Sequence, residues 1–182
     1  MKRFVFTIAL VAMNIAAFAQ RNVEPEYIGQ VVILNADSTT ILLPTENMSP
    51  KTSSNMLGYI PVPGASLLSK SKSDLVMKGA EAKTVVDGRE VVLIFRAADV
   101  NINPADLFAI TKFEVKKKNR FITLAEGNLI TGVKSNTNFN TENYEVKKFG
   151  NSSFMITLKN LAPGQYGVMT PDLSKAATFM VR

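Results

Sequence analysis

An all-β fold is predicted by three features of the sequence. Its apolar runs are short and rich in Val, Ile, Thr, Phe and Tyr. Clusters of Asn, Asp, Gly, Pro and Ser recur roughly every eight to fourteen residues, the rhythm of strands joined by turns. No stretch after residue 20 sustains apolar spacing at helical period. Together they predict a β-sandwich, Greek-key in type, over residues 20–182.

Residues 1–19 stand apart. Lys2 and Arg3 precede an apolar run from Phe4 to Ala16, and Ala17-Phe18-Ala19 places small residues where a signal peptidase reads. The run is too short for a stable bilayer anchor and leads directly into polar chain. Residues 1–19 are therefore expected to be a signal peptide, with Gln20 as the mature N-terminus. The product is expected in the periplasm or at the cell surface, not membrane-spanning after cleavage. Removing 1–19 of the 182 residues leaves 163, enough for one sizeable core.

The elements follow in order. Tyr27–Leu34 reads as a strand, Asn35-Ala36-Asp37-Ser38 as a turn, and Thr39–Leu43 as its return. Pro44–Ser54 reads as a polar loop, because Pro44 and Pro50 bracket hydrophilic residues. Tyr59–Gly64 carries two prolines that remove ladder donors, so it reads as an edge or connection. Ser69-Lys70-Ser71-Lys72-Ser73 is of low complexity and reads as an exposed loop. A break there into two small units, with 74–182 as the second, is the alternative domain division.

Thr84–Val86, Asp87-Gly88 and Arg89–Phe95 predict a two-residue hairpin. Val92 and Ile94 oppose Leu93 and Phe95, so both faces of that strand are apolar and a central position is expected. Asn103 and Pro104 predict one capped helical turn. Phe108–Val115 and Arg120–Ala125 predict a second hairpin, and Tyr144–Phe149 with Phe154–Leu158 a third. Phe154, Ile156 and Leu158 share one face of that third hairpin. Tyr166–Met169 and Ala177–Val181 flank a turn at Pro171-Asp172.

Leu161-Ala162-Pro163-Gly164-Gln165-Tyr166 predicts a tight turn followed by a tyrosine that buries its ring and returns its hydroxyl to the backbone near Leu161. The segment resembles the L-x-P-G-x-Y signature of fibronectin type III and other immunoglobulin-like domains. That resemblance implies an immunoglobulin-like sandwich, although the core Trp usual in fibronectin type III is absent. The chain as a whole resembles small exported bacterial β-proteins of unknown function. Neither resemblance supplies a catalytic residue.

Composition narrows the chemistry. The chain contains no Cys, His or Trp. Thiolate catalysis, imidazole bases, Ser-His-Asp relays and Cys/His metal sites are thereby unavailable. A carboxylate pair, a Ser-Lys arrangement or a hard cation on oxygen ligands would remain. No cofactor is expected. Asp99-Val100-Asn101-Ile102-Asn103-Pro104-Ala105-Asp106 begins like a calcium loop, but Pro104 replaces the required Gly and Ile110 the terminal Glu. A capped turn is the simpler reading. Ser69-Lys70 is too polar a setting for a desolvated lysine.

Net charge is +6, of which Lys2 and Arg3 contribute two. That excess is too modest to argue for nucleic acid as a partner. Lys112, Lys116, Lys117, Lys118 and Arg120 form the one basic cluster, a candidate patch for a partner or an anionic ligand. Lysines at a hairpin also guard a sheet edge. Arg120 starts a strand, where its planar fork could hold a carboxylate or sulfate. Glu81, Glu90, Glu114, Glu126, Glu142 and Glu145 are scattered over expected strand faces, and Tyr27, Tyr59, Phe139 and Tyr144 are expected in the core. The function expected is a non-catalytic interaction or structural protein of the bacterial envelope, binding another envelope or surface protein. The alternatives are a glycan- or small-anion-binding module and a carboxylate-based hydrolase.

Overall fold

The computed structural model describes residues 23–54, 70–128, 132–135 and 144–182. Within them lie β1 (Val31–Leu34), β2 (Thr40–Leu42), β3 (Thr45–Ser54), β4 (Lys70–Lys78), β5 (Val85–Val86) and β6 (Val91–Arg96). One helical turn, α1 (Pro104–Leu107), precedes β7 (Ala109–Lys116), β8 (Asn119–Asn128) and β9 (Gly132–Ser135). The order ends with β10 (Tyr144–Phe149), β11 (Ser153–Leu158), β12 (Gly164–Met169) and β13 (Lys175–Val181). The protein is all-β.

Five strands form an antiparallel sheet in the order β10-β11-β6-β1-β2. Its central strand is β6, as its two apolar faces predict. Leu93 and Phe95 point into the main core with Val31, Ile33, Phe154, Ile156 and Leu158. The remaining strands pair as β12-β7-β8-β4-β3-β13, and β13 then returns to β12, closing a six-stranded barrel. Closure pairs each ring strand on both sides over part of its length, and among the described residues β3 keeps an edge beyond Asn47. Where the sequence predicts a second open layer, the chain closes that layer on itself. The cause is β13, which pairs with β12 along one side and with β3 and β5 along the other.

β12 and β13 are shared by both cores. Tyr166, Val168, Ala177, Phe179 and Val181 face the five-stranded sheet. Met169 and Ala176 face the barrel interior, against Met48, Leu75, Met77, Phe113 and Ile122. The Tyr166 ring stacks on Phe179 at 5.5 Å, and its hydroxyl donates to the Ala162 carbonyl at 2.7 Å, as the turn at Pro163 predicts. At Gly167 an added Cβ would come within 2.6 Å of Phe113, so the interior wall admits no side chain there.

Several expectations are corrected. Thr45–Ser54, expected as a loop, is a long strand. Pro50 is compatible with it because Met48 donates its N–H to Ser174, away from β4; alternation turns residue 50 the same way, towards a side with no strand among the described residues. Residues 70–73, expected in a loop, begin β4 and pair with 52–54 of β3 and 125–128 of β8. The hairpin expected over 84–95 does not form. Gly88 has φ +110°, but β5 crosses to the barrel, parallel to β13, while β6 enters the other sheet. Tyr27 is exposed rather than in the core, whereas Tyr144 packs 6.5 Å from Phe108. Asn103 caps α1 by accepting from Ala105 N–H, as expected. Residues 1–22, Tyr59–Gly64 and Phe139 lie outside the described residues. Among those described, no helix is long and apolar enough to cross a membrane.

Candidate functional site

The basic cluster divides. Lys116, Lys117 and Lys118 are exposed at the β7–β8 turn, where Lys117 takes φ 58°. Lys112 is half-buried, its ammonium 5.6 Å from the centre of the Tyr166 ring. Arg120 is fully buried and shares no surface with the turn lysines. The carboxylate it holds is the protein's own.

Arg120 points into the barrel because it lies beside Met77 in the β4–β8 register, on the interior face. Its Nη2 donates to Glu46 Oε2 at 2.7 Å, and its Nε donates to the Gly79 carbonyl at 3.0 Å. The second Glu46 oxygen accepts from the Thr178 hydroxyl. One ion pair thus ties β3, β8 and β13 together across the barrel. Nη1 of Arg120 has no hydrogen-bond partner among the described residues. Burial pushes the Glu46 carboxyl up, but hydrogen bonds from Arg120 and Thr178, with the charges of Arg120 and Lys83, hold it below the ordinary glutamate value. It is therefore an ionised carboxylate, unsuited to donating a proton at neutral pH.

Glu46 also lines an open groove of 780 Å³ formed by residues of β3, β4 and the start of β8. Asn47, Ser49, Lys51, Lys78 and Asn119 bring hydroxyl, amide and ammonium groups to it, and Pro50, Val76 and Met77 give it an apolar share, around one fixed carboxylate. Glycosidase chemistry needs a second carboxyl group across the cleft. Glu46 is the one acid among the described lining residues. No group of three metal-ligating acids, histidines or cysteines occurs among the described residues either.

A second polar cluster sits on the outer side of the five-stranded sheet. Glu24 accepts from the Asn151 and Ser152 amides at 3.0 and 3.2 Å and from the Ser153 hydroxyl at 2.6 Å. Arg96 lies 3.4 Å away. Gly150, φ +59°, packs so closely on this carboxylate that any Cβ would overlap it. Burial raises the Glu24 carboxyl, and the Ser153, Asn151 and Ser152 hydrogen bonds with the Arg96 charge more than reverse that. Since folding depresses this carboxyl, its stabilisation is complete above the ordinary value of 4.5 and is lost as pH falls through the folded value. Glu24→Gln is accordingly expected to lower stability at pH 7, with the gap from wild type closing as pH falls below 4.5 in urea titrations.

The third feature is an edge. Among the described residues, β2 pairs with β1 on one side and with no strand on the other. Thr40, Ile41 and Leu42 are all exposed, Ile41 by 42% and Leu42 by 54%, and none is charged. The opposite edge, β10, carries exposed Glu145, Lys147 and Lys148, with Glu145 paired to Lys159 at 2.8 Å. Sequence reasoning singled out neither Glu24 nor Glu46, since an isolated Glu carries no signal of burial. The bare edge was visible as Thr39–Leu43 but not its position at the rim. No known family matches the chain, and no curated protein is similar to it.

Proposed function

We propose that the mature chain is an exported, non-catalytic interaction protein of the bacterial envelope that binds another protein along β2. The observation that carries this reading is the contrast between edges. β2 is uncharged and, among the described residues, has no strand on its outer side, while β10 bears charges and the β3 edge bears Pro50 and Lys51. Such devices discourage strand addition, and β2 lacks them. Export is supported by the Lys2-Arg3, Phe4–Ala16 and Ala17-Phe18-Ala19 pattern. We read the five-stranded sheet and the β7–β12–β13 wall as the two layers of an immunoglobulin-like sandwich, a reading supported by the Tyr166–Ala162 hydrogen bond.

A photo-crosslinking residue at position 40, in the exporting cell, is expected to capture one stoichiometric protein. The same probe at Lys147, on the charged edge, is expected to capture none. Equal capture from both edges, or none from position 40, would overturn the reading.

The groove over Glu46 favours a second reading, a module for a glycan or small anionic ligand. Lys51, Lys78, Asn47 and Asn119 offer donors to hydroxyl or anionic oxygens.

A further inference from the structure

We infer that the partner taken by β2 is a second copy of this chain, joined edge to edge across a two-fold axis at Ile41. The inference rests on the reading of β2 as the binding edge.

Backbone direction fixes which groups are free. Asn35 N–H bonds Thr39 and Leu43 N–H bonds Val31, so residues 39, 41 and 43 turn their backbone groups towards β1. Thr40 and Leu42 therefore turn theirs outward, two N–H and two C=O groups in all. An antiparallel copy centred on Ile41 sets Thr40 opposite the other copy's Leu42, and Leu42 opposite its Thr40. All four groups then bond. Ile41 meets Ile41 in the narrow pair between them, where side chains approach closest. The surface is self-complementary, as a two-fold interface requires, and no charge is set against a like charge.

Side-chain rows point the same way. On the core face, Ile156, Leu93, Ile33 and Ile41 lie side by side across four strands. On the outer face Met155, Ile94, Val32 and Leu42 do the same. At the β10 end the outer row finishes in Lys147, in register with Met155. At the β2 end both rows finish in exposed aliphatic residues. A second copy continues the core-face row, Ile33-Ile41 against Ile41-Ile33, sets Leu42 of the outer row against Thr40, and makes one ten-stranded sheet from two of five.

The chain has no cysteine, so a single introduced thiol reports this register directly. In protein recovered from the exporting cell, Ile41→Cys is expected to oxidise to a disulfide dimer of twice the chain mass, because a narrow antiparallel pair brings the two Cβ atoms within bridging reach. Thr40→Cys, facing Leu42 instead, is expected to remain largely unbridged. Unmodified protein should sediment increasingly as a dimer with rising concentration, and Leu42→Lys should abolish that shift. Ile41→Cys that stays monomeric, or equal bridging from both cysteines, overturns self-pairing. If position 40 meanwhile captures a different protein in the cell, β2 remains the binding edge and only the identity of its partner changes. If it captures nothing, both readings fall together.

Discussion

Glu46→Leu is expected to destabilise the protein by about 3–5 kcal/mol, the cost of leaving a buried charge without its partner. Arg120 is 1% exposed at its side chain and already has one unpaired nitrogen, so the guanidinium cannot turn to solvent for relief. Adding Arg120→Met removes the stranded charge and is expected to recover most of the loss. A double-mutant cycle on urea midpoints checks both statements, since the two residues touch and their effects should not add. Additive losses would mean that the pair is not coupled as the 2.7 Å contact implies.

Phe179→Ala is expected to cost a comparable ~3–5 kcal/mol by leaving a cavity in the main core. Phe179 is fully buried and stacks on Tyr166, which is itself fully buried. Its strand has the barrel interior on its other face, so relaxation of β13 to fill the void would disturb Ala176 and the packing of Met48 and Met169. The variant should lose the near-ultraviolet signal of Tyr166 and the secondary-structure signal in one coincident transition at a lower temperature. Separate transitions would show that the two cores do not depend on their common wall.

The sequence made some elements plain and hid others for identifiable reasons. β6, β7–β8, β10–β11, β12–β13 and α1 were legible because their apolar alternation and turn residues agree with their final surroundings. β3 and the start of β4 were not, because exposed strand faces read as loops: Thr45–Ser54 buries Met48 fully and is otherwise hydrophilic. The 84–95 hairpin failed because a local Asp-Gly turn says nothing about which sheet each arm will join. Only the long-range pairing of Met180 and Val181 with Val85 and Val86 decides it. In the candidate site, Arg120 was expected at the surface to hold a ligand's or partner's carboxylate or sulfate, but it is buried against the chain's own Glu46, 74 residues away. The lysines at 116–118 were grouped with it by sequence proximity, which a β-turn does not respect.

The position of β13 in the ring bears on how the chain reaches this structure. β12, β7, β8, β4 and β3 can pair in sequence as ribbons, but the ring stays open until Lys175–Val181 slots between β12 and β3. The contacts it makes with Thr45–Asn47 span about 130 residues of chain, and Glu24 reaches Ser153 over a separation of 129. Such long closures make for slow folding, and they come last. Until β13 is in place, the chain holds one side of β12 and of Thr45–Asn47 unpaired. Its most vulnerable interval is therefore the wait for that strand, when bare edges of many copies can pair with one another instead.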